Sequence, residues 1–351
     1  MRPERHDRFD VLRDEWDALA DRVGAVPWIR PGWIEPWHEA FGRGQPELVA
    51  LRDEGGRLRA LAPLERRGGV LAAPTNWHTP EYELLAADAE SRRELAAALV
   101  ASGARRVQVS FMPRTGGGLE ELAAAARGRR WRLLERVVER SPSIPIETDW
   151  ESFRGTLARG FAKELTRRRR RLGELGELTF ELDHGREGLD ELLEDGFRVE
   201  ASGWKGQSGT AILSRPETRA FYAAIARWAA SKDWLRLGCL RLDGRLIAFE
   251  LNIAANGALY VLKGGYDEEF RKFGPGTLVV EDVIRSAFEA GLQSYEFLGS
   301  DDAYKLDWTT TLRDRMMLQA FSLSLAGLVD HAAYAVGRPL AKKALALRRR
   351  G

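Results

Sequence analysis

The apolar positions change period along the chain, and each change marks an element. ELVALRD and GRLRALAPLERR flank Glu54-Gly55, a pattern that predicts a β-hairpin. SRRELAAALVASG has helical spacing, with Ser91 as the expected N-cap and Gly103 as the stop. RRVQVSFM then alternates polar and apolar residues, as a strand does. Further on, WLRLGCLRLDGRLIAFELNIAANGALYVLKGGY holds three strand-like runs. They are separated by Asp243-Gly244 and Asn256-Gly257, the dipeptides that tight hairpins favour. TLVVEDVIRSAFEAG reads as a helix ending at Gly291, and QSYEFLG as a strand.

These two stretches overlay at one offset. Gly56-Arg57-Leu58-x-Ala60 matches Gly244-Arg245-Leu246-x-Ala248, 188 residues on, and the helix-ending Gly103 matches Gly291 at the same spacing. A constant offset is what a duplicated α/β unit leaves behind. The expected domains are therefore residues 1–147, a connector at 148–175, and residues 176–351.

Composition narrows the classes. One Cys among 351 residues excludes an intramolecular disulfide, and five scattered His give no zinc motif, so no metal is expected. Lys and Arg (54) nearly cancel Asp and Glu (52), so no global field argues for nucleic acid. The charged N-terminus lacks the apolar core of a signal peptide. Residues 318–337, the most apolar stretch, contain Gln319, Asp330 and His331 and read as a packed segment rather than a membrane span. A cytoplasmic protein is expected.

Two basic features stand out. Five consecutive Arg at 167–171 lie in the helical connector, read as a solvated face or a phosphate-contacting surface. The tail, residues 338–351, carries six basic and no acidic residues, which suits weak contact with an anionic surface.

The most informative chemistry lies at Arg271-Lys272-Phe273-Gly274-Pro275-Gly276-Thr277, between a strand and a helix. Gly274 and Gly276 let the backbone turn tightly and approach a ligand. The first amides of the helix lack intrahelical partners, and its dipole adds positive charge. Together they make a diphosphate-sized anion site, with Arg271 as a further contact. No Gly-Lys-Ser/Thr follows and no third Gly is present, so this is neither a Walker loop nor a Rossmann fingerprint. At the equivalent places in the first half stand Glu83, Ala86 and Asp88, and the two carboxylates would repel a diphosphate.

With Glu200-Ala-Ser-Gly-Trp204-Lys205-Gly206, the loop from Gly265-Tyr266-Asp267 to Gly276, and Gly299-Ser-Asp-Asp-Ala-Tyr304-Lys305-Leu-Asp-Trp308, the chain resembles the tandem-GNAT acyltransferases. More narrowly, it is similar to the CelD/BcsL-type acetyltransferases, relatives of the Fem-type peptidyltransferases. The resemblance runs from about residue 9 to residue 321 and rests most on the Tyr-Lys-x-x-Trp element. It implies an α/β (α+β) protein of two GNAT-like domains, each a mixed, largely antiparallel sheet flanked by helices. The second domain would bind acetyl-CoA or another acyl-CoA as co-substrate through Arg271, Lys272, Phe273, Gly274, Gly276 and Thr277. The implied activity is acyl transfer to an amine of a small or sugar-linked acceptor.

Such a transfer needs a base, a contact for the carbonyl oxygen and an acid for the leaving thiolate. Strand alternation puts Glu250 opposite Phe249 and Leu251, toward the cleft, which makes it a candidate base. Asp301 and Asp302 follow a central strand; Asp302 is the second candidate base, and Asp301 is assigned to acceptor contact. Tyr304 is expected to protonate the thiolate, and Lys305 to steady developing charge. Glu200, Trp204 and Lys205 are expected to shape the acceptor pocket, with His78 as a base contributed from the first half. Cys239, in an apolar strand, reads as a packed residue rather than a nucleophile. Two other readings stand beside this one. One is a Fem-type transfer from aminoacyl-tRNA to a cell-wall precursor, with the Arg run as the tRNA contact; the other is a non-catalytic partner in polysaccharide synthesis.

Overall fold

The computed structural model describes residues 1–203 and 209–337. The chain divides into two compact units, one formed by Met1–Glu139 with Asp314–Gly351, the other by Arg140–Arg313. These boundaries differ from the expected ones at two places. The connector helices Trp150–Thr156 and Arg159–Gly173 pack within the second unit, against the helix Pro275–Glu289. The last strand lies in the first unit, not with the C-terminal half.

In the first unit, β1 (Arg2–His6), β2 (Gln45–Arg52), β3 (Leu58–Arg67) and β4 (Val70–Ala72) pair antiparallel in that order, and the short β5 (Leu85–Ala86) pairs with β3. β4 runs parallel to β6 (Arg106–Pro113), which pairs antiparallel with the end of the chain, β13 (Leu312–Phe321). The second unit has the same plan. β8 (Leu178–Asp183), β9 (Leu235–Leu242), β10 (Arg245–Ala255) and β11 (Ala258–Tyr266) are antiparallel. β11 runs parallel to β12 (Ser294–Glu296), and β12 pairs antiparallel with the end of β7 (Arg132–Pro145).

The duplication holds to single residues. Val70, Leu71 and Ala72 face Arg106, Val107 and Gln108 in the first unit; Ala258, Leu259 and Tyr260 face Ser294, Tyr295 and Glu296 in the second. Every number in the second set is 188 above its counterpart in the first. The turn glycines agree too: Gly56 and Gly244, and Gly103 and Gly291, all have positive φ. Both hairpin dipeptides adopt the left-handed conformation throughout (Asp243 +48°, Gly244 +80°; Asn256 +51°, Gly257 +77°), the geometry of a turn that matches strand twist. One detail differs from expectation. The cap of the helix Ala89–Val100 is Asp88, whose carboxylate accepts the Ser91 amide at 2.7 Å, so Ser91 lies inside the helix.

The closing strands are exchanged relative to chain order. The strand after β6 is β7, yet β6 is completed by β13; the residues next to β12 are the end of β7, which precede it by about 150 positions in sequence. Leu318, Ala320 and Phe321 are fully buried in the first unit.

Helices cover both faces of the second sheet. On one face, Gly238 leaves room for Val279 and Val283 of the helix Pro275–Glu289. On the other, the ring of Phe249 fills the place where a Cβ on Gly196 would stand, 2.6 Å away, so the helix Leu189–Ala201 lies close on β10. Alternation along β10 thus puts Glu250 on the first face and Phe249, Leu251 and Ile253 on the second. Among the described residues no helix is long and apolar enough to cross a membrane.

Candidate active site

The parallel pair of the second unit is brief. Pairing of β11 with β12 stops at Tyr260 and Glu296, yet β11 runs on to Tyr266. Beyond Glu296 the amide of Phe297 bonds Pro142 instead, and Leu298 (φ +52°) and Gly299 (φ +62°) turn the chain. The two strands therefore part, and residues 261–266 line the opening half-buried. The loop at 267–274 follows directly from the free end of β11 and leads into the helix Pro275–Glu289.

That loop has the expected form with different contacts. Gly274 caps the helix in the left-handed conformation (φ +65°), and Pro275 occupies the first turn, where its missing N–H is harmless. The Gly274 carbonyl accepts the amides of Thr277 at 3.1 Å and Leu278 at 3.3 Å, so two first-turn donors are engaged locally. Positive charge comes from an unexpected source. Arg168 lies against Gly274, where a Cβ would sit 2.7 Å from Nη1, and donates to Thr277 Oγ1 at 3.1 Å. Gly276 makes room for the ring of Tyr266, 2.7 Å from its would-be Cβ. Arg271 is exposed and pairs with Glu268; Lys272 is exposed beside the buried Phe273 ring, 5.0 Å from its centroid.

The Arg run has inward partners as well as exposed ones. Arg169 pairs with Glu281 and Asp282, Arg171 lies 5.4 Å over Phe273, and Arg167 and Arg170 pair with Glu164 and Glu174 on their own helix. It is in part the face by which the Arg159–Gly173 helix grips the loop helix.

Around the opening, the first face carries Glu250, 3% exposed, which accepts a long hydrogen bond (3.4 Å) from the Tyr295 hydroxyl. Tyr304 belongs to the same cluster. The residue is 55% exposed, yet desolvation of the phenol and the charges of Glu250 and Asp302 hold it well above its ordinary range. Tyr295 is fully buried and raised for the same reasons, burial first and Glu250 next. The sequence reading missed Tyr295; its alternation with Phe297 in QSYEFLG was the available signal.

Lys305 is engaged internally. It is 6% exposed, and its ammonium donates to the carbonyls of Leu298 (2.9 Å) and Ser300 (2.8 Å) and pairs with Asp302 at 3.0 Å. These three contacts use its three protons. The expected contact with developing charge is therefore replaced by an internal one, which holds the turn after β12. Asp302 is that partner, and Asp301 is exposed.

On the second face, Glu200 is buried, accepts the Ile212 amide at 2.9 Å, and bears on Tyr222, over whose ring Lys263 sits at 5.4 Å. Trp204 and Lys205 lie outside the described residues. His78 belongs to the first unit, where its ring stacks on Phe41 at 4.6 Å and against Trp77 at 3.6 Å. Cys239 is buried, and burial pushes its thiol up to about 12, which keeps it neutral and unreactive. Among the described residues no group of three or more His, Cys, Asp or Glu could hold a metal.

Residues 159–306 match the family described as an acetyltransferase (GNAT) domain. No curated protein matches. Among solved structures, FemX is 14% identical over 90% of this chain and 97% of its own, with a TM-score of 0.60. A conserved protein of unknown function from Bacteroides thetaiotaomicron is 13% identical (92% and 100% covered, TM-score 0.58), and L-PGS from Bacillus licheniformis 12% identical (88% and 97%, TM-score 0.51). At these identities the structures establish the fold, that of GNAT-like units each built on a mixed, largely antiparallel sheet. Residues 159–306, which lie within the second unit, thus match a GNAT acetyltransferase domain, and this match supports a transferase.

Proposed function

We propose that the protein transfers an acyl group from acyl-CoA to an amine in the opening between β11 and β12. The observation that carries this is the parting of those strands directly beside a glycine-capped helix start to which Arg168 brings a guanidinium. The diphosphate would meet the Gly276 region, Arg168 and the exposed Arg271 and Lys272, drawn by these cations and by the positive end of the helix dipole.

In this reading the amine nitrogen attacks the thioester carbonyl carbon and the C–S bond breaks. Glu250 takes the proton the amine loses, and Tyr304 gives its proton to the departing sulfur. Tyr295 is a positioning residue that holds Glu250. Its long hydrogen bond suits a contact that tightens once substrate is bound. Lys305 positions Tyr304 by fixing the turn that precedes it. No covalent enzyme intermediate is involved, since the one thiol is buried and neutral.

Transfer from aminoacyl-tRNA is the competing donor chemistry. The inward contacts of Arg168, Arg169 and Arg171 leave less of the run for a nucleic acid and favour acyl-CoA. Calorimetric titration with acetyl-CoA decides the matter. Wild-type protein is expected to bind and the Gly276→Glu variant not to; absence of binding to wild type would refute the proposal.

A further inference from the structure

A second buried carboxylate stands at the same opening on the opposite face of the sheet. Glu296 is the last residue of β12 to pair with β11. Its partner Tyr260 faces Ile253, which shares a face with Leu251 and Phe249, the side covered by the helix Leu189–Ala201. Glu250 and Tyr295 occupy the other side. The two carboxylates thus bracket the point where the strands part.

Glu296 is 3% exposed and only half engaged. Its Oε1 accepts the hydroxyls of Ser143 (2.9 Å) and Ser294 (2.8 Å) and pairs with Arg313 at 3.1 Å. Arg313 also donates to Ser143 Oγ at 3.2 Å. These contacts, all on one oxygen, fix the side chain. Oε2 is buried and has no hydrogen-bond partner. A desolvated carboxylate oxygen left open is costly in a finished core and useful where a donor is to arrive.

We infer that Glu296 Oε2 is the anchor for the acceptor's amino group. The inference rests on the acyltransferase reading, since it is that reaction which brings an amine to the opening. A primary ammonium supplies both the positive charge and the N–H donors that Oε2 lacks. Approach from this face brings the nitrogen to the gap where the strands part, which Glu250 borders from the other side, with Lys263, Tyr222 and Glu200 on the anchoring face to contact the rest of the acceptor.

The test is calorimetry of glucosamine, spermidine and lysine methyl ester against protein saturated with CoA, for wild type, Glu296→Gln and Arg313→Gln. At least one probe is expected to bind wild type. Glu296→Gln should weaken it tenfold or more with CoA affinity unchanged, and Arg313→Gln, which frees the carboxylate of its cation, should tighten it severalfold. Binding by none of the probes, or equal affinity in wild type and Glu296→Gln, overturns the inference. Were Glu296→Gln to fail to fold, unchanged or weaker binding by Arg313→Gln would overturn it instead. Failure of wild type to bind CoA at all is a separate result and removes the underlying reading.

Discussion

Arg168 Nη1 donates to Thr277 Oγ1 at 3.1 Å, which ties the basic helix to the start of the loop helix. Arg168→Ala should weaken acetyl-CoA binding by about tenfold, the effect of one charge-assisted contact of roughly 1.5 kcal/mol. Calorimetry reads the affinity, and the melting temperature should move little, because the side chain is partly exposed. Unchanged affinity would take Arg168 out of the site.

Tyr304→Phe should lower kcat by roughly 10²–10⁴-fold with little change in KM for acyl-CoA, the usual size of a lost general acid. Because burial and two carboxylates hold the phenol well above its ordinary range, it stays protonated through the assay range. The alkaline side of the kcat profile should accordingly show no ionisation from this residue. Thiol release from acetyl-CoA measures both quantities.

Lys305→Met should destabilise the protein by roughly 3 kcal/mol, since it leaves two carbonyls and Asp302 without their donor. Denaturant unfolding checks this. A variant that kept full stability while losing only activity would place Lys305 back among the groups that touch substrate.

Glu83, in the first unit, is raised to about 7 from an ordinary 4.5, by burial first and by the charge of Glu81 next. The folded form holds this proton more tightly than the unfolded form does. Glu83 therefore costs nothing below about pH 4.5, costs progressively more as pH rises, and costs most above about 7. Glu83→Gln should be more stable than wild type at pH 8 by on the order of 1–3 kcal/mol, with the gap closing at pH 4.5. Parallel urea curves at the two pH values provide the measurement.

A chain ending at residue 313 should lose the first unit's cooperative unfolding, because Leu318, Ala320 and Phe321 leave its core. Hydrogen exchange is the direct readout: β6 amides, protected in the full chain, should exchange freely in the shortened one.

Much of the fold was legible because its local signals were strong. Asp243-Gly244 and Asn256-Gly257 can hold two successive left-handed residues and thereby fix register, and the 188-residue offset survives to the pairing of single residues. The strand exchange left no such mark. β7 and β13 each carry only a strand's alternation, and nothing in either says which neighbour it joins. At the site, Glu250 faced as alternation required, whereas Lys305 looked like a surface cation because its acceptors are carbonyls, which sequence does not display. Arg168 was read only as one member of a charge run, since the glycine it covers is over a hundred positions away.

The exchanged strands also bear on synthesis. In order of synthesis every strand of the second unit, including the piece of β7 that closes it, is complete by residue 296, whereas the first unit waits for β13. The unit whose strands come first in the sequence is thus completed after the other, and until β13 emerges the nascent sheet edge at β6 stays open to whatever strand reaches it first.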